Sequence, residues 1–173
     1  MTEMATVTAI ATDNLVSRNG ARYPAVELVA LAQLLVGKAT VTDHWTMVEQ
    51  EWGTISRAWV EKVEPPADLD EINRAIVRQE YYQQVRCEIS YPADFPLEQD
   101  WQVGLKLRVS ICAAYQFLRC SGCSCGHHFF SVKCPNSWSE VVYFDRVGVV
   151  DAYELSLVVV PAVKEARVLY EVK

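Results

Sequence analysis

The chain has 173 residues, of which 51% are hydrophobic and 22% charged, and its formal net charge is −6. This composition is typical of one soluble globular domain and argues against disorder. Nucleic-acid binding depends largely on neutralising phosphates, so an acidic chain with scattered lysine and arginine fits that class poorly. No apolar run reaches the roughly 18 residues that span a bilayer, and the N-terminus lacks a signal-peptide profile. We therefore expect a protein of a reducing cytosol, with neither nucleic acid nor membrane as a partner.

The first part of the chain predicts a strand followed by a helix. Threonines alternate with apolar residues around Val7, and Asn19-Gly20 marks a turn. Pro24 predicts the start of a helix with helically spaced leucines, and Gly37 predicts its end. Asp43-His44 follows shortly after, so we expect it at a strand end or in a loop.

The middle of the chain changes from helical to strand periodicity. Residues 53–63 predict a strand, and Asp68 with Glu71 three residues later has the spacing of a capping box for a second helix. From Val85 to Tyr91 apolar and polar residues alternate, as in a half-buried strand.

The clearest alternation covers residues 105–117, with apolar side chains on one face and polar or small ones on the other. Further strands are predicted at residues 141–144, 147–150 and 153–160, the last ended by Pro161. The whole pattern predicts an α+β, mainly β single domain over residues 1–173, with a barrel or curled sheet and helices outside it. Cys87 and Cys112 fall within strand patterns, so we expect buried thiols at both positions.

Four of the six cysteines and two of the three histidines lie within residues 120–134. Cys120 and Cys123 have the spacing with which two thiolates hold one zinc ion. Cys134 can supply a third ligand, and the fourth stays open among Cys125, His127 and His128. We predict one structural zinc ion in an insert at about residues 119–138, with free thiols as the alternative.

Two residues outside this insert could support acid–base and nucleophilic chemistry. His44 is the one histidine outside the cysteine cluster, and imidazole suits proton transfer near neutral pH. A partly buried histidine bonded to backbone is the alternative. Ser110 lies on the polar face of its strand, and a serine becomes a nucleophile only with a base in hydrogen-bond reach. An ordinary solvent-facing serine is the alternative.

Glu154 opens an apolar stretch and shares a strand face with Ser156. A carboxylate on a strand that enters the core must be solvated or paired, and an imidazolium would satisfy it. The residue pattern alone favours an exposed surface glutamate.

Taken together and in this order, these residues resemble the phage prohead (head maturation) protease family. The matching segments are Gly37-Lys38…Asp43-His44, Val109-Ser110-Ile111 and Glu154-Leu155-Ser156-Leu157-Val158, and with the cysteine insert they cover roughly residues 14–170. The resemblance implies that His44 and Ser110 are the catalytic pair and that Glu154 is the third member of the triad. It also implies a fold related to the herpesvirus assemblin barrel, ringed by helices, with the site on its outer face.

The function that this resemblance implies is a serine endopeptidase that cleaves scaffold and coat proteins during procapsid maturation. Its partners would be phage capsid, scaffold or portal proteins, together with other copies of itself in a homo-oligomer. Its location would be the host bacterial cytoplasm, within the procapsid or virion. Arg108, on the strand face of Ser110, would assist backbone N–H groups at the oxyanion. The alternative is a catalytically inactive, protease-like component of the virion.

Overall fold

The computed structural model describes residues 3–44, 51–102, 107–124, 126–127 and 143–170. Its elements, in chain order, are β1 (Met4–Asp13), β2 (Ala21–Arg22), α1 (Ala25–Leu35), β3 (Ala39–Thr42), β4 (Gly53–Lys62), α2 (Glu71–Glu80), β5 (Gln83–Pro92), α3 (Leu97–Gln102), β6 (Val109–Cys120), β7 (Gly126–His127), β8 (Phe144–Leu157) and β9 (Arg167–Leu169). No helix within these ranges is long and apolar enough to cross a bilayer.

The described strands form one sheet in the order β7-β6-β8-β3-β4-β5-β1-β9, with β2 paired to β8 beside that path. The α+β, mainly β prediction is therefore confirmed. The sheet is open in its strand order rather than a closed barrel. Its two ends approach through an isolated bridge between Arg108 and Arg167 and a hydrogen bond from the Val168 N–H to the Leu107 carbonyl. Because β9 has only three residues, this contact is a bridge and not a ladder.

Helix α1 lies against the sheet as its leucine spacing predicted. Pro24 occupies the position before the helix, and Gly37 at φ 81° follows its end. The left-handed conformation costs glycine little, so the chain can turn there into β3. One face of α1 packs into the hydrophobic core through Leu28, Leu31, Ala32 and Leu35. Burial of each leucine stabilises the fold by about 1.5–3 kcal/mol.

The cap of helix α2 differs from the prediction. Asp70, not Asp68, precedes the helix, and its carboxylate accepts a 2.7 Å hydrogen bond from the Asn73 N–H. Asp68 is instead paired with Lys164. The sequence offers two aspartates two residues apart, and the second begins the helix because its spacing to Asn73 satisfies a free N–H of the first turn.

Strand β8 was expected as separate short strands and is one continuous strand of 14 residues. Gly148, at φ 69°, interrupts its regular pleat, and the pairing with β6 shifts register on either side of Ala113-Ala114. A Cβ at Gly148 would lie 2.8 Å from the Gln116 side chain, so a larger residue would displace that neighbour. The irregular residues are thus absorbed as bulges instead of ending the strand.

Candidate functional site

Three neighbouring strands position the predicted site residues. Strand β8 lies between β6, which carries Ser110, and β3, which leads into His44. In the antiparallel pairing of β6 with β8, Ser110 is opposite Ser156 and Cys112 is opposite Glu154. Residues opposite each other share a sheet face, so these four side chains lie on one face. Val109, Leu155 and Leu157 belong to the hydrophobic core on the other face.

His44 and Glu154 form a close pair. The Nδ1 atom of His44 lies 2.7 Å from Oε1 of Glu154, and the side chains are 46% and 4% exposed, respectively. The preference for an exposed surface glutamate is therefore wrong. A buried carboxylate needs donors, and the imidazole N–H supplies one. With Nδ1 engaged, Nε2 is the ring nitrogen that can exchange a proton with another group.

Ser156 is a site residue whose role the sequence did not reveal. Its side chain is fully buried, and its hydroxyl donates a 2.5 Å hydrogen bond to Oε2 of Glu154. The Ser156 hydroxyl oxygen in turn accepts a 3.0 Å hydrogen bond from the backbone N–H of His44. Both carboxylate oxygens of Glu154 thus have a donor. The signal that could have identified Ser156 is its place two residues after Glu154 on the same strand face.

The backbone at His44 adopts an uncommon conformation. Asp43 and His44 both have positive φ, at 54° and 59°, directly after the end of β3. Few residues other than glycine adopt this left-handed region, and aspartate and histidine are among those enriched there. The Asp43 N–H donates to the Leu157 carbonyl at 2.9 Å, which holds the turn against the end of β8. The prediction of a strand end or loop at Asp43-His44 is confirmed.

Ser110 and His44 line the same cavity, of about 440 Å³. Ser110 is half-buried, so its hydroxyl is accessible from this cavity. Within the described residues, however, the Ser110 hydroxyl has no hydrogen-bond partner, and no hydrogen bond joins it to His44. Catalytic hydrogen bonds often form only when substrate binds, so the absence of this bond is compatible with a nucleophilic serine.

Cys112 borders the cavity two residues beyond Ser110. It is exposed, so the prediction of a buried thiol is wrong for this residue, whereas Cys87 is fully buried as expected. Partial burial and the charge of Glu154 raise the pKa of the Cys112 thiol. A thiol with a raised pKa is mostly protonated at neutral pH and is a weak nucleophile. The surroundings of Cys112 therefore do not activate its thiol.

Arg108 does not take the role that was expected of it. Its guanidinium is exposed and donates to the Lys164 carbonyl at 3.0 Å, and the residue is not part of the cavity lining. Arg108 is two residues before Ser110, the spacing that a shared strand face requires, but the bridge to Arg167 holds Arg108 at the sheet edge. In this arrangement the Arg108 guanidinium does not face the cavity that Ser110 lines.

The cysteine insert is described only at its start. Cys120 is buried at the end of β6, and a turn follows in which the Ser124 N–H donates to the Cys120 carbonyl at 2.8 Å. Cys123 is in a disulfide whose partner lies outside the described residues. Cys125, His128, Cys134 and the side chain of His127 also lie outside them. Within the described part of the chain, no group of three or more ligating side chains could hold a metal ion.

The arrangement provides an imidazole oriented by a buried carboxylate, beside a cavity that holds a serine hydroxyl. These groups suit proton transfer and nucleophilic attack on a carbonyl carbon. No family model, curated protein or solved structure matches this chain. The geometry of the site and the order of its motifs therefore carry the information about function.

Proposed function

We propose that the protein is a serine endopeptidase in which Ser110 is the nucleophile, His44 the general base and Glu154 the residue that orients the imidazole. The observation that carries this proposal is the 2.7 Å contact between His44 and the buried Glu154 at the wall of the cavity that Ser110 lines. A carboxylate bound to Nδ1 fixes the imidazole tautomer and stabilises the imidazolium that forms during the reaction.

The reaction follows from these roles. The Ser110 oxygen attacks the carbonyl carbon of a peptide bond, and its proton passes to Nε2 of His44. The C–N bond then breaks, and the same proton moves from Nε2 to the departing amine. The resulting ester on Ser110 is hydrolysed when His44 takes a proton from a water molecule and later returns it to the Ser110 oxygen.

More specifically, we propose an endopeptidase of the phage prohead type that acts on scaffold and coat proteins inside the procapsid. It is supported by the motif order His44, Ser110, Glu154 and by a site on the sheet face opposite the hydrophobic core. The approach of β9 to the segment before β6 is compatible with an assemblin-like barrel. Capsid, scaffold or portal proteins of a phage, in the host cytoplasm, would be its partners.

One observation favours a second candidate, a catalytically inactive structural component of a virion. Ser110 and His44 are not hydrogen-bonded to each other, and the exposed Cys112, which is opposite Glu154, lines the cavity beside Ser110. If the Ser110 hydroxyl never forms a hydrogen bond with His44, the protein keeps its fold but has no peptidase activity.

The insert at about residues 119–138 is proposed to bind one structural zinc ion. Cys120 and Cys123 flank a tight turn in which the Ser124 N–H donates to the Cys120 carbonyl, and their spacing is that of a two-cysteine zinc site. A disulfide sulfur is not a thiolate ligand, so Cys123 would bind zinc only in its reduced form. The remaining ligands would be Cys134 and one of Cys125, His127 and His128. The ion would hold the loop together and take no part in the reaction.

A fluorophosphonate probe read by intact mass tests the peptidase proposal. Wild type should gain one adduct, and Ser110→Ala and His44→Ala should gain none. Ser56→Ala is the matched control, because Ser56 is an exposed serine bonded to the Glu88 carbonyl, and it should label like wild type. Labelling that persists in Ser110→Ala would reject Ser110 as the nucleophile. Absence of an adduct on folded wild type would favour the inactive component.

A further inference from the structure

Arg146, on β8, lines the same cavity as Ser110 and His44. Its guanidinium carbon lies 4.8 Å from the centre of the Tyr23 ring and 5.9 Å from that of Tyr115. One terminal nitrogen donates to Oδ1 of Asn19 at 3.2 Å, and that oxygen also accepts a 2.5 Å hydrogen bond from the Ser17 hydroxyl. Two rings and one amide oxygen therefore fix the plane of the guanidinium.

Arg146 differs from the other arginines of the described chain in its charge environment. Every other buried or half-buried arginine there has a carboxylate within 4 Å: Arg22 has Glu80 and Asp145, Arg86 has Glu61 and Arg167 has Glu165. Arg146 is half-buried and has none among the described residues. A guanidinium carries five donors, and the Asn19 contact uses one terminal nitrogen. The other N–H groups have no protein acceptor within the described residues.

The same cavity of about 440 Å³ is lined by Arg146, His44 and Ser110. A partly desolvated cation with free donors at one end of a cavity is a site for an anion, and a planar guanidinium matches a carboxylate. The fixed orientation means that little side-chain freedom is lost on binding.

We propose that Arg146 is a specificity-determining residue that binds an aspartate or glutamate side chain of the substrate. This inference rests on the proposed peptidase function, because it places the acid on the chain that Ser110 cleaves. The substrate class is thus a peptide with an acidic residue at a fixed distance from the cleaved bond.

The register of β6 gives that distance. Tyr115, beside the guanidinium, is five residues beyond Ser110 along the strand. At roughly 3.3 Å per residue these positions are about 17 Å apart, and an extended substrate advances at the same rate. The acidic side chain should therefore be about four to six residues from the cleaved bond and not directly beside it.

A proteome-derived peptide library, digested by the enzyme and read by mass spectrometry, tests this. Wild type should prefer aspartate or glutamate over glutamine about tenfold in kcat/KM at one position four to six residues from the cut. Arg146→Gln should lose the preference, and Arg146→Glu should reverse it in favour of lysine. Arg57→Gln is the matched control, because Arg57 also stacks on a ring, that of Trp59 at 5.2 Å, and is not part of the cavity lining. Cleavage by wild type without an acidic preference would overturn the inference and leave the peptidase proposal intact.

A second readout does not depend on cleavage. The side-chain Nε–H signal of Arg146, assigned with Arg146→Gln, should shift when N-acetylglutamate amide is added and stay in place with the glutamine analogue. A shift in a protein that cleaves nothing would reject the peptidase and keep the anion subsite. If there is neither a shift nor cleavage, both are rejected.

Discussion

The hydroxyl of Ser156 is the second donor to the Glu154 carboxylate, at 2.5 Å from Oε2, opposite the imidazole on Oε1. It also accepts a hydrogen bond from the backbone N–H of His44, so one buried hydroxyl contacts both Glu154 and His44. The position of the imidazole thus depends on a residue that does not itself line the cavity. Ser156 is a positioning residue in this sense.

Ser156→Ala should lower kcat by about 10- to 100-fold with little change in KM, because a displaced base affects the reaction more than binding. The free energy of unfolding should fall by about 1–3 kcal/mol, since a buried carboxylate loses a donor. Initial rates and thermal melts measure the two effects, with Ser56→Ala as control. The low-field proton signal of His44 Nδ1–H should broaden or shift in Ser156→Ala. An unchanged signal would show that Ser156 does not hold the pair.

Asp13 should make stability depend on pH. Burial raises its pKa to about 6, although the Leu15 N–H and the Tyr82 hydroxyl both donate to the carboxylate. An unfolded aspartate titrates near 4, so between about pH 4 and 6 the folded state binds more protons. The free energy of unfolding should therefore fall by about 2–3 kcal/mol as pH rises through this window.

Asp13→Asn keeps an acceptor for Leu15 and removes the buried charge. It should flatten the pH dependence between about pH 4 and 6 and raise the stability at pH 7. Urea unfolding at a series of pH values measures this, and Asp94→Asn, at an exposed aspartate, is the control. A wild-type profile that rises steadily from pH 4 to 6 would contradict the buried-charge explanation.

Alkylation of Cys112 should block peptide cleavage, because its side chain is exposed and borders the cavity of Ser110. The raised pKa of the thiol predicts slow modification at pH 7 and faster modification above pH 9. Burial raises the pKa of Cys87 to about 12, so that residue should not react in the folded protein. Peptide mapping after iodoacetamide treatment identifies the modified sites. The Cys112→Ser variant should stay active after the same treatment, and inhibition of that variant would assign the effect to another cysteine.

Metal analysis should find close to one zinc ion per chain in protein purified under reducing conditions. Cys120→Ser and Cys123→Ser should each lose the metal, and Cys112→Ser should retain it. Oxidation that joins Cys123 in a disulfide should release zinc, since the disulfide removes a thiolate. Reduced wild type without zinc and with six titratable thiols would show that the insert carries free cysteines.

The sequence predicted what depends on local periodicity. The alternation from Val85 to Tyr91, the spacing of leucines in α1 and the turn at Gly37 appear in the structure as expected. These features depend only on residues that are close together in the sequence, and the periodicity of apolar residues is visible there directly.

The interactions across the sheet were not predictable in the same way. Glu154 looked like a surface residue because its neighbours along the chain do not reveal that β3 delivers an imidazole to it. Ser156 belonged to a segment that carried the family resemblance, but nothing in the sequence indicated its contact with Glu154, and Arg146 carried no signal at all. The short strands β2, β7 and β9 have two or three residues each, too few for a period to be visible. Resemblance to a family indicated Glu154, whereas the physics of the isolated segment did not.

The pairing of β8 on both sides has a consequence for errors in folding. Glu154 is opposite Cys112 on one neighbour and Ala39 on the other, and a slip by one residue would replace it with Leu155. Such a slip sends every side chain of the strand to the opposite face. The carboxylate would then enter an apolar core that excludes it, and the imidazole would face a methyl group. A chain with this misalignment would therefore be less stable and would lack the contact between His44 and Glu154. Only the correctly paired strand places the Glu154 carboxylate beside the imidazole.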